Sequence, residues 1–224
     1  MSKAIVLISA GMDSTVCATV AKKEVGSVIG LHFQYGQRSA KKELECVEKI
    51  AEFLGFERLE VVDLEKIFRS VGGSALTDKS IEVPVHGGEG IPVTYVPFRN
   101  GVFLAVAVAY AVGWGVEKVY IGVNQVDFSG YPDCRDVFIK AMQEAVSRGI
   151  PDSSSVEIVA PLQYLSKVEI VKLGVEIGAP FHLTWSCYRE GEVACGRCDS
   201  CRLRYQGFKE AGLEDPIPYE VLPE

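Results

Sequence analysis

The residues best suited to chemistry near the start of the chain are those of the segment ISAGMDS, at positions 8–14. An apolar run at 3–9 predicts a buried strand, and a helix is predicted from 13 to about 24, so the segment forms the turn between them. Backbone N–H groups and the positive end of a helix dipole converge at such a point and bind anions. A turn does not need the carboxylate of Asp13, which would repel a phosphate unless Mg²⁺ lay between them. A helix cap made by Ser and Asp side chains is the alternative, and both interpretations remain open.

A second reactive set lies near the other end of the chain, where four cysteines fall within 15 residues in the spacing C-x7-C-x2-C-x2-C. They are Cys187, Cys195, Cys198 and Cys201. Four thiolates complete a tetrahedral Zn²⁺ and leave no open position, which is typical of a structural site. The neighbouring Arg189, Arg197, Arg202 and Arg204 are expected to offset its negative charge. An iron–sulfur cluster and a set of free thiols are the alternatives.

The elements that must position these residues alternate along the chain. Strands are predicted at 3–9, 27–33, 59–64, 118–124 and 156–160, and helices at 13–24, 40–54, 99–112, 136–148 and 166–177. Ser166 and Glu169 form a capping box, and the apolar composition of 99–112 predicts a buried helix. The alternation predicts an α/β fold with a doubly wound parallel sheet, whose ligands bind at the carboxyl ends of the strands. The segment 72–97 lacks periodicity, so it is either a functional or a disordered loop, and we expect it to close over the site when ligands bind.

Composition excludes several classes of protein. The 224 residues suit one α/β domain with a small appendage, and the net charge of −7 disfavours a surface that binds nucleic acid. The apolar stretch 102–116 contains Gly113 and Gly115 and is too short and interrupted to span a bilayer. The N-terminal apolar run is too short for a signal peptide, so a cytoplasmic protein with reduced cysteines is expected.

The segment SAGMDS, at 9–14, resembles the SGGxDS loop of the N-type ATP pyrophosphatases, or PP-loop enzymes. These enzymes have an adenine nucleotide alpha hydrolase-like fold, activate a substrate oxygen by adenylation and hold pyrophosphate in the loop. Ala10 replaces a glycine of the pattern, which leads us to expect a negative φ there. The resemblance implies that ATP is bound by Ile8, Ser9, Ala10, Gly11, Met12, Asp13, Ser14, Thr15, Val16, Cys17 and Ala18.

Further blocks resemble the 7-cyano-7-deazaguanine synthase family of queuosine-precursor biosynthesis over almost the whole chain. They are FQYGQR (33–38), TYVPFRN (94–100), GVNQVDFSGYPDCRDVFIKAM (122–142), LSKVEIVKLG (165–174) and LTWSCY…CGRCDSC (183–201). FSGYPDCR is the most specific of them, because no folding rule requires those residues in that order. The resemblance implies an ATP-dependent ligase that converts 7-carboxy-7-deazaguanine and ammonia to 7-cyano-7-deazaguanine (preQ0) through an adenylate and an amide.

The same resemblance implies cofactors, partners and a division of the chain. One structural Zn²⁺ per chain and Mg²⁺ with ATP are expected, with small-molecule substrates, no nucleic acid, no membrane and a homodimer. Residues 1–180 would form the PP-loop ATP pyrophosphatase domain, and 181–224 a four-cysteine, zinc-binding segment packed on it. The 224 residues leave no room for a glutaminase domain, so free ammonia is the expected nitrogen source. A tRNA sulfur-transferase with the same loop is the alternative, and a non-enzymatic nucleotide-binding module is a further one.

Three residues are assigned catalytic roles: Asp13 near Mg²⁺, Ser14 on pyrophosphate, and Lys167. Lys167 lies in the first turn of a helix, where a cation opposes the helix dipole, so a phosphate partner is expected. A solvated surface lysine is the alternative.

A second group is assigned to substrate or phosphate: Gln37, Arg38, Arg99, Asn100, Asp127, Tyr131 and Asp133. Arg99 and Asn100 open the predicted buried helix, and a buried Arg needs an anion. They could instead cap the helix by bonding loop carbonyls. One acid of the loop containing Asp127 and Asp133 could pair with the guanine-like N–H groups, although a plain turn also explains that loop. Gln37 and Arg38 would contact nucleotide or a neighbouring subunit.

Overall fold

The computed structural model describes residues 2–84, 90–124 and 130–224. Its strands are β1 (Lys3–Leu7), β2 (Ser27–Gln34), β3 (Arg58–Asp63), β4 (Lys118–Tyr120) and β5 (Glu157–Val159). Its α-helices are α1 (Met12–Val25), α2 (Ala40–Leu54), α3 (Glu65–Val71), α4 (Arg99–Trp114), α5 (Asp136–Gly149), α6 (Lys167–Ile177) and α7 (Asp199–Glu210). Short 3₁₀ turns lie at Pro132–Cys134 and Phe181–Leu183.

The strands form one five-stranded sheet in the order β3-β2-β1-β4-β5, and every pair in it is parallel. Ile5 of the central strand lies opposite Ile29 on one side and Val119 on the other. The order reverses direction between β1 and β4, and ligands bind in the crevice at such a point. The predicted α/β, doubly wound architecture is confirmed.

Alternate residues of β1 enter two apolar cores, one on each face of the sheet. Ala4 and Val6 pack into the core formed with α1, α2, α6 and α7, whereas Ile5 and Leu7 pack into the core formed with α3, α4 and α5. A strand that is buried on both faces reads as a continuous apolar run, which explains the sequence KAIVL.

β4 and α4 differ from the predictions, and the helices α3 and α7 were not predicted. β4 has three residues instead of the predicted seven, because its partner β5 ends at Val159 and the chain turns away at Ala160 and Pro161, where proline has no N–H to donate. α4 is not buried all round: Ala105, Ala109 and Gly113 are exposed along one side. Such small residues cost little to expose, so apolar composition overstated the burial of this helix.

The segment predicted as a loop, 72–97, contains no strand or helix in its described parts, 72–84 and 90–97. Its positions 85–89 lie outside the described residues. The first part is anchored, because Ala75 and Leu76 are buried. Closure of the segment over a bound ligand stays a prediction.

The C-terminal segment packs against the first of the two cores. The four clustered cysteines and Phe208 of α7 belong to the same apolar core as Val16 of α1. A Cβ on Gly207 of α7 would lie 2.5 Å from Cγ of Lys167, so only glycine lets α7 approach the start of α6 this closely. Among the described residues, no helix is both long enough and apolar enough to cross a bilayer.

Candidate nucleotide site and metal centre

A cavity of about 310 Å³ opens at the carboxyl end of the sheet, where β1 and β4 diverge. Its lining comes from the loop after β1, the ends of β2 and β4, the first turns of α4 and α6, and the C-terminal segment. Of the residues assigned to a site from sequence, it contains Ile8, Ser9, Gly11, Met12, Asp13, Ser14, Gln37, Arg38, Arg99, Asn100, Tyr131 and Lys167.

The loop after β1 leaves the N-terminus of α1 without a side-chain cap. The N-cap residue is Gly11, which has no side chain to cap the helix, and its own N–H donates to Oγ of Ser9 at 3.4 Å. Ser14 and Thr15 instead donate their hydroxyls to the carbonyl of Gly11, and the hydroxyls of Ser9 and Ser14 lie 3.1 Å apart. The alternative that Ser and Asp merely cap the helix is therefore wrong. The unsatisfied N–H groups are free to bind an anion in the cavity.

Ala10 adopts a left-handed conformation with φ of 62°, so the prediction of a negative φ is wrong. This conformation costs a residue with a Cβ about 1–2 kcal/mol. The residue is completely buried, and its carbonyl accepts a 2.9 Å hydrogen bond from the backbone N–H of Trp185. The turn from β1 into α1 requires the positive φ, and this bond from the C-terminal segment helps to hold it.

Asp13 is the centre of a charged cluster at the mouth of α1. Its Oδ2 forms a 2.7 Å ion pair with Nζ of Lys167 and accepts a 3.2 Å hydrogen bond from Nδ2 of Asn124. Its Oδ1 is buried and has no hydrogen-bond partner within the described ranges. The approach is possible because Gly122, after β4, has no Cβ: one would lie 2.9 Å from the carbonyl oxygen of Asp13.

The position of Lys167 follows from the capping box that starts α6, which the structure confirms: Ser166 accepts from the N–H of Glu169, and Glu169 from that of Ser166. The side chain of Lys167 is only 14% exposed, so the alternative of a solvated surface lysine is wrong. Lys167 lines the cavity, so its ammonium group is placed to meet an anionic ligand there.

Arg99 lies across the cavity, at the start of α4. Its Nη1 donates to the hydroxyl of Tyr35 at 2.9 Å, and its guanidinium lies 5.3 Å and 5.9 Å from the ring centroids of Tyr35 and Phe103. Burial acts to lower the pKa of Arg99, but the surrounding phenols, Cys134 and Asp133 outweigh it and the pKa is raised. Burial raises the pKa of Tyr35 to about 12, partly offset by Arg99. Both groups therefore keep their protons at neutral pH.

Asn100 and Asp133 have structural partners. The backbone N–H of Asn100 donates to Oδ2 of Asp133 at 2.8 Å, so Asp133 satisfies an N–H of the first turn of α4. The side chain of Asn100 donates to Sγ of Cys134 at 3.2 Å, not to a loop carbonyl. Asp133 is 3% exposed and does not line the cavity, and burial raises its pKa. Tyr131 does line it, with its hydroxyl 2.9 Å from Oγ1 of Thr94, whereas Asp127 lies outside the described residues.

Gln37 and Arg38 line the cavity but are occupied by the protein itself. Gln37 donates to the carbonyl of Phe33 and to Glu43, and accepts from the N–H of Tyr35. Arg38 donates to three carbonyls of the segment after α3, those of Ala75, Asp78 and Ile81. Both side chains fix loops at the rim, and their contact with substrate stays a prediction.

The four clustered cysteines form a compact, buried sulfur cage. All four Sγ atoms lie within 4.8 Å of one another, with Cys198 and Cys201 at 3.5 Å and Cys195 and Cys201 at 4.0 Å. A tetrahedral ion with metal–sulfur bonds of ~2.3 Å requires sulfurs ~3.8 Å apart. A four-iron cluster would place each thiolate on a different iron and spread the sulfurs further. The cage therefore fits one metal ion.

The four thiols of the cage do not ionise alike, because hydrogen bonds between them raise the pKa values of Cys187 and Cys201 and lower that of Cys198. Hydrogen bonds from Cys187 and Cys201 lower the pKa of Cys198, so this thiol loses its proton first. Backbone N–H groups of Arg189 and Cys195 donate to Sγ of Cys187. The prediction that Arg204 offsets the charge of the cage is wrong, because Arg204 forms a buried, two-point ion pair with Asp215 at 2.8 Å. That pair holds the C-terminal tail to α7.

Several lining residues were not singled out from sequence. They are Tyr35, Glu43, Asn124, Trp185, Ser186 and Tyr188. Asn124 and Tyr35 could have been inferred, because Asn124 ends a predicted strand and Tyr35 lies two residues beyond another, both at the ligand edge. Tyr188 reaches the cavity only because the cysteine segment folds back over the sheet, which no local pattern indicates.

A parallel sheet with a reversal in strand order and an uncapped helix after a SAGMDS turn defines a PP-loop, nucleotide-binding protein. The chain belongs to the family described as Queuosine biosynthesis protein QueC, whose model matches residues 3–212. It is 50% identical over 221 residues to a protein of Nautilia profundicola named 7-cyano-7-deazaguanine synthase, covering 98% of this chain and 99% of that protein. A protein of Koribacter versatilis with the same name is 52% identical over 222 residues, covering 97% and 93%.

Solved structures share the fold at low identity. A 4-thiouridine synthetase in complex with RNA and ATP matches with a TM-score of 0.55 and 20% identity, over 97% of this chain and 47% of that one. The U34-tRNA thiolase NcsA from Methanococcus maripaludis, with its [4Fe-4S] cluster, matches with a TM-score of 0.50 and 15% identity, over 82% and 59%. These similarities show that the chain shares their fold.

Proposed function

We propose that this chain is a 7-cyano-7-deazaguanine synthase, an ATP-dependent ligase that makes preQ0 from 7-carboxy-7-deazaguanine and ammonia. The observation that carries the proposal is identity of about 50% over nearly the full length to relatives of that name. The cavity supports it, because the uncapped N-terminus of α1 and the ammonium of Lys167 suit a polyphosphate. The tRNA sulfur-transferase alternative rests on fold likeness alone and is not favoured.

The first half of the reaction joins the substrate acid to AMP. A carboxylate oxygen attacks the α-phosphorus of ATP, the bond to the β-phosphate bridge breaks, and pyrophosphate leaves at the N-terminus of α1. Ser9, Gly11 and Ser14 would hold the pyrophosphate, and Lys167 would stabilise its charge. The unpartnered Oδ1 of Asp13 fits a Mg²⁺ ion carried by ATP, which would neutralise phosphate charge.

The second half removes oxygen from carbon. Ammonia attacks the acyl carbon, AMP leaves with the original oxygen, and a proton is lost to give the amide. The amide oxygen then attacks the α-phosphorus of a second ATP and displaces a second pyrophosphate. Loss of AMP and two protons from the activated amide gives the nitrile. One adenylating cavity serves both activations, because each converts a poor oxygen leaving group into AMP.

The remaining assignments are proposals of the same kind. We assign Zn²⁺ to the sulfur cage as a structural ion, because four thiolates leave no open position for a substrate. We keep the division into a PP-loop domain at 1–180 and a four-cysteine segment at 181–224. A homodimer that acts on small molecules, without nucleic acid, completes the proposal.

We predict that 7-amido-7-deazaguanine is a substrate in its own right. With Mg·ATP and no added ammonia, it should yield the nitrile together with AMP and pyrophosphate. The physical reason is that dehydrating an amide in water requires an activated oxygen, and the described residues contain one loop suited to that activation. Mass spectrometry of the product and a coupled pyrophosphate assay measure it.

The control for this experiment is the acid, which should give nitrile only when ammonia is added. Formation of nitrile from the amide without ATP, or no nitrile at all, would contradict the use of one site for both halves. If the acid, ATP and ammonia gave no nitrile while tRNA stimulated pyrophosphate release, the proposed function itself would be wrong.

A further inference from the structure

One wall of the cavity carries a guanidinium among aromatic rings. The lining residues there are Tyr35, Arg99, Phe103, Tyr131 and Tyr188. Phe33, at the end of β2, stacks on Phe103 with ring centroids 4.1 Å apart, so the floor beneath Arg99 is flat and apolar. This wall lies on the α4 face of the sheet, whereas α1 and Lys167 lie on the opposite face.

The charges of the cavity leave Arg99 in an unusual position. Lys167 pairs with Asp13, Arg204 pairs with Asp215, and Arg38 donates to loop carbonyls. Arg99 has a phenol and two ring faces as its partners, and no carboxylate of the described residues forms an ion pair with it. Arg99 is partly buried, and Asp133 acts on it only from beyond ion-pair distance. A partly buried guanidinium without an anion in direct contact favours binding of an anionic ligand.

The surroundings favour a carboxylate over a phosphate as that anion. The N-terminus of α1 and Lys167, on the other side of the cavity, already offer a binding site for phosphates. A guanidinium is planar and binds carboxylates through two parallel hydrogen bonds, and it does so best where flat rings exclude water. Aromatic side chains around it offer contact surface for a planar ring.

We propose that Arg99, positioned by Tyr35 and Phe103, binds the carboxylate of the planar aromatic acid that this enzyme activates. The inference rests on the proposed function for the identity of the acid. It assigns Arg99 to the first half of the reaction in particular: once the carboxylate has become an amide, the ligand has no negative charge and the ion pair is lost. Arg99 therefore distinguishes the acid from the amide.

The test compares binding of the acid and of the amide to the wild type and to Arg99→Gln. Binding is measured by isothermal titration calorimetry with saturating α,β-methylene-ATP, so that no chemistry occurs. The variant should bind the acid about 10- to 100-fold more weakly, as expected for loss of a charged hydrogen-bonding partner. Its affinity for the amide and for the ATP analogue should change less than about 3-fold.

Arg148→Gln is the matched control, because it removes the same charge from an exposed position at the end of α5 and should change neither affinity. Arg99→Lys is a second variant that keeps the charge but not the two-point geometry. Its affinity for the acid should fall between those of the wild type and Arg99→Gln. It decides the test if thermal unfolding shows that Arg99→Gln does not fold.

The outcomes separate this inference from the proposed function. Equal losses of acid and amide affinity, or no loss of either, would overturn the role of Arg99. A loss confined to the ATP analogue would make Arg99 a phosphate ligand and would also overturn it. If the acid binds and depends on Arg99 but no nitrile forms with ATP and ammonia, the inference stands and the proposed function falls.

Discussion

Replacing Asp13 by Asn should slow adenylate formation by about 100- to 1,000-fold, the usual effect of removing one preorganised electrostatic group. The substitution keeps the shape of the side chain but removes the charge that pairs with Lys167 at 2.7 Å. It also removes the carboxylate whose unpartnered Oδ1 fits Mg²⁺. Pyrophosphate release from ATP and the substrate acid, measured in single turnovers, reports the step directly.

The fold should survive this change. Asp13 is at the cavity rather than in the core, and the loss of one charged hydrogen bond lowers the free energy of unfolding by about 2 kcal/mol. Glu48→Gln is the matched control, because it removes the same charge from an exposed position on α2 and should leave the rate unchanged. Turnover of Asp13→Asn close to that of the wild type would mean that Asp13 only organises the loop.

Replacing Cys198 by Ser should remove the bound metal and destabilise the protein strongly. Cys198 is 3% exposed and lies 3.5 Å from the sulfur of Cys201. Because metal binding to a structural thiolate site contributes directly to folding, we expect the free energy of unfolding to fall by on the order of 5 kcal/mol. Elemental analysis should change from one zinc per chain to nearly none, and denaturant titration should report the lost stability.

Cys46→Ser controls for the loss of a buried thiol outside the cage. Cys46 lies on α2 and is 7% exposed, and burial raises the pKa of its thiol. Serine there should cost about 1–3 kcal/mol for burying a hydroxyl, and the metal content should not change. Iron in the wild type, or full zinc occupancy in Cys198→Ser, would contradict the proposed site.

All five strands and five of the seven α-helices in the described residues could be predicted because each of these has a local signature, whereas α3 and α7 were missed. The apolar run of β1, the periodic face of α2 and the capping box of α6 all lie within a few residues of sequence. The parallel sheet then follows from their alternation. What local patterns missed was the early end of β4, since that depends on where the neighbouring strand β5 ends.

The site was predictable in its residue types and less so in its pairings. The SAGMDS turn and Lys167 were found, but their contact joins residues 154 positions apart, which no spacing rule indicates. The bonds of Arg38 to three loop carbonyls were not foreseen either, because they join it to residues 37–43 positions away, and its contact with a nucleotide or a neighbouring subunit stays a prediction. The predicted φ of Ala10 was wrong because the prediction considered the methyl group alone, and not the hydrogen bond that holds the turn.

The hydrogen bond from Trp185 to Ala10 has a consequence for how the molecule is made. A nascent chain leaves the ribosome N-terminus first, so β1, α1 and their turn emerge well before Trp185. Until the cysteine segment arrives, the left-handed turn at Ala10 lacks the donor that holds it. We therefore expect the sheet to form before the loop can bind a nucleotide. A chain that ends before Trp185 should neither bind nor hydrolyse ATP.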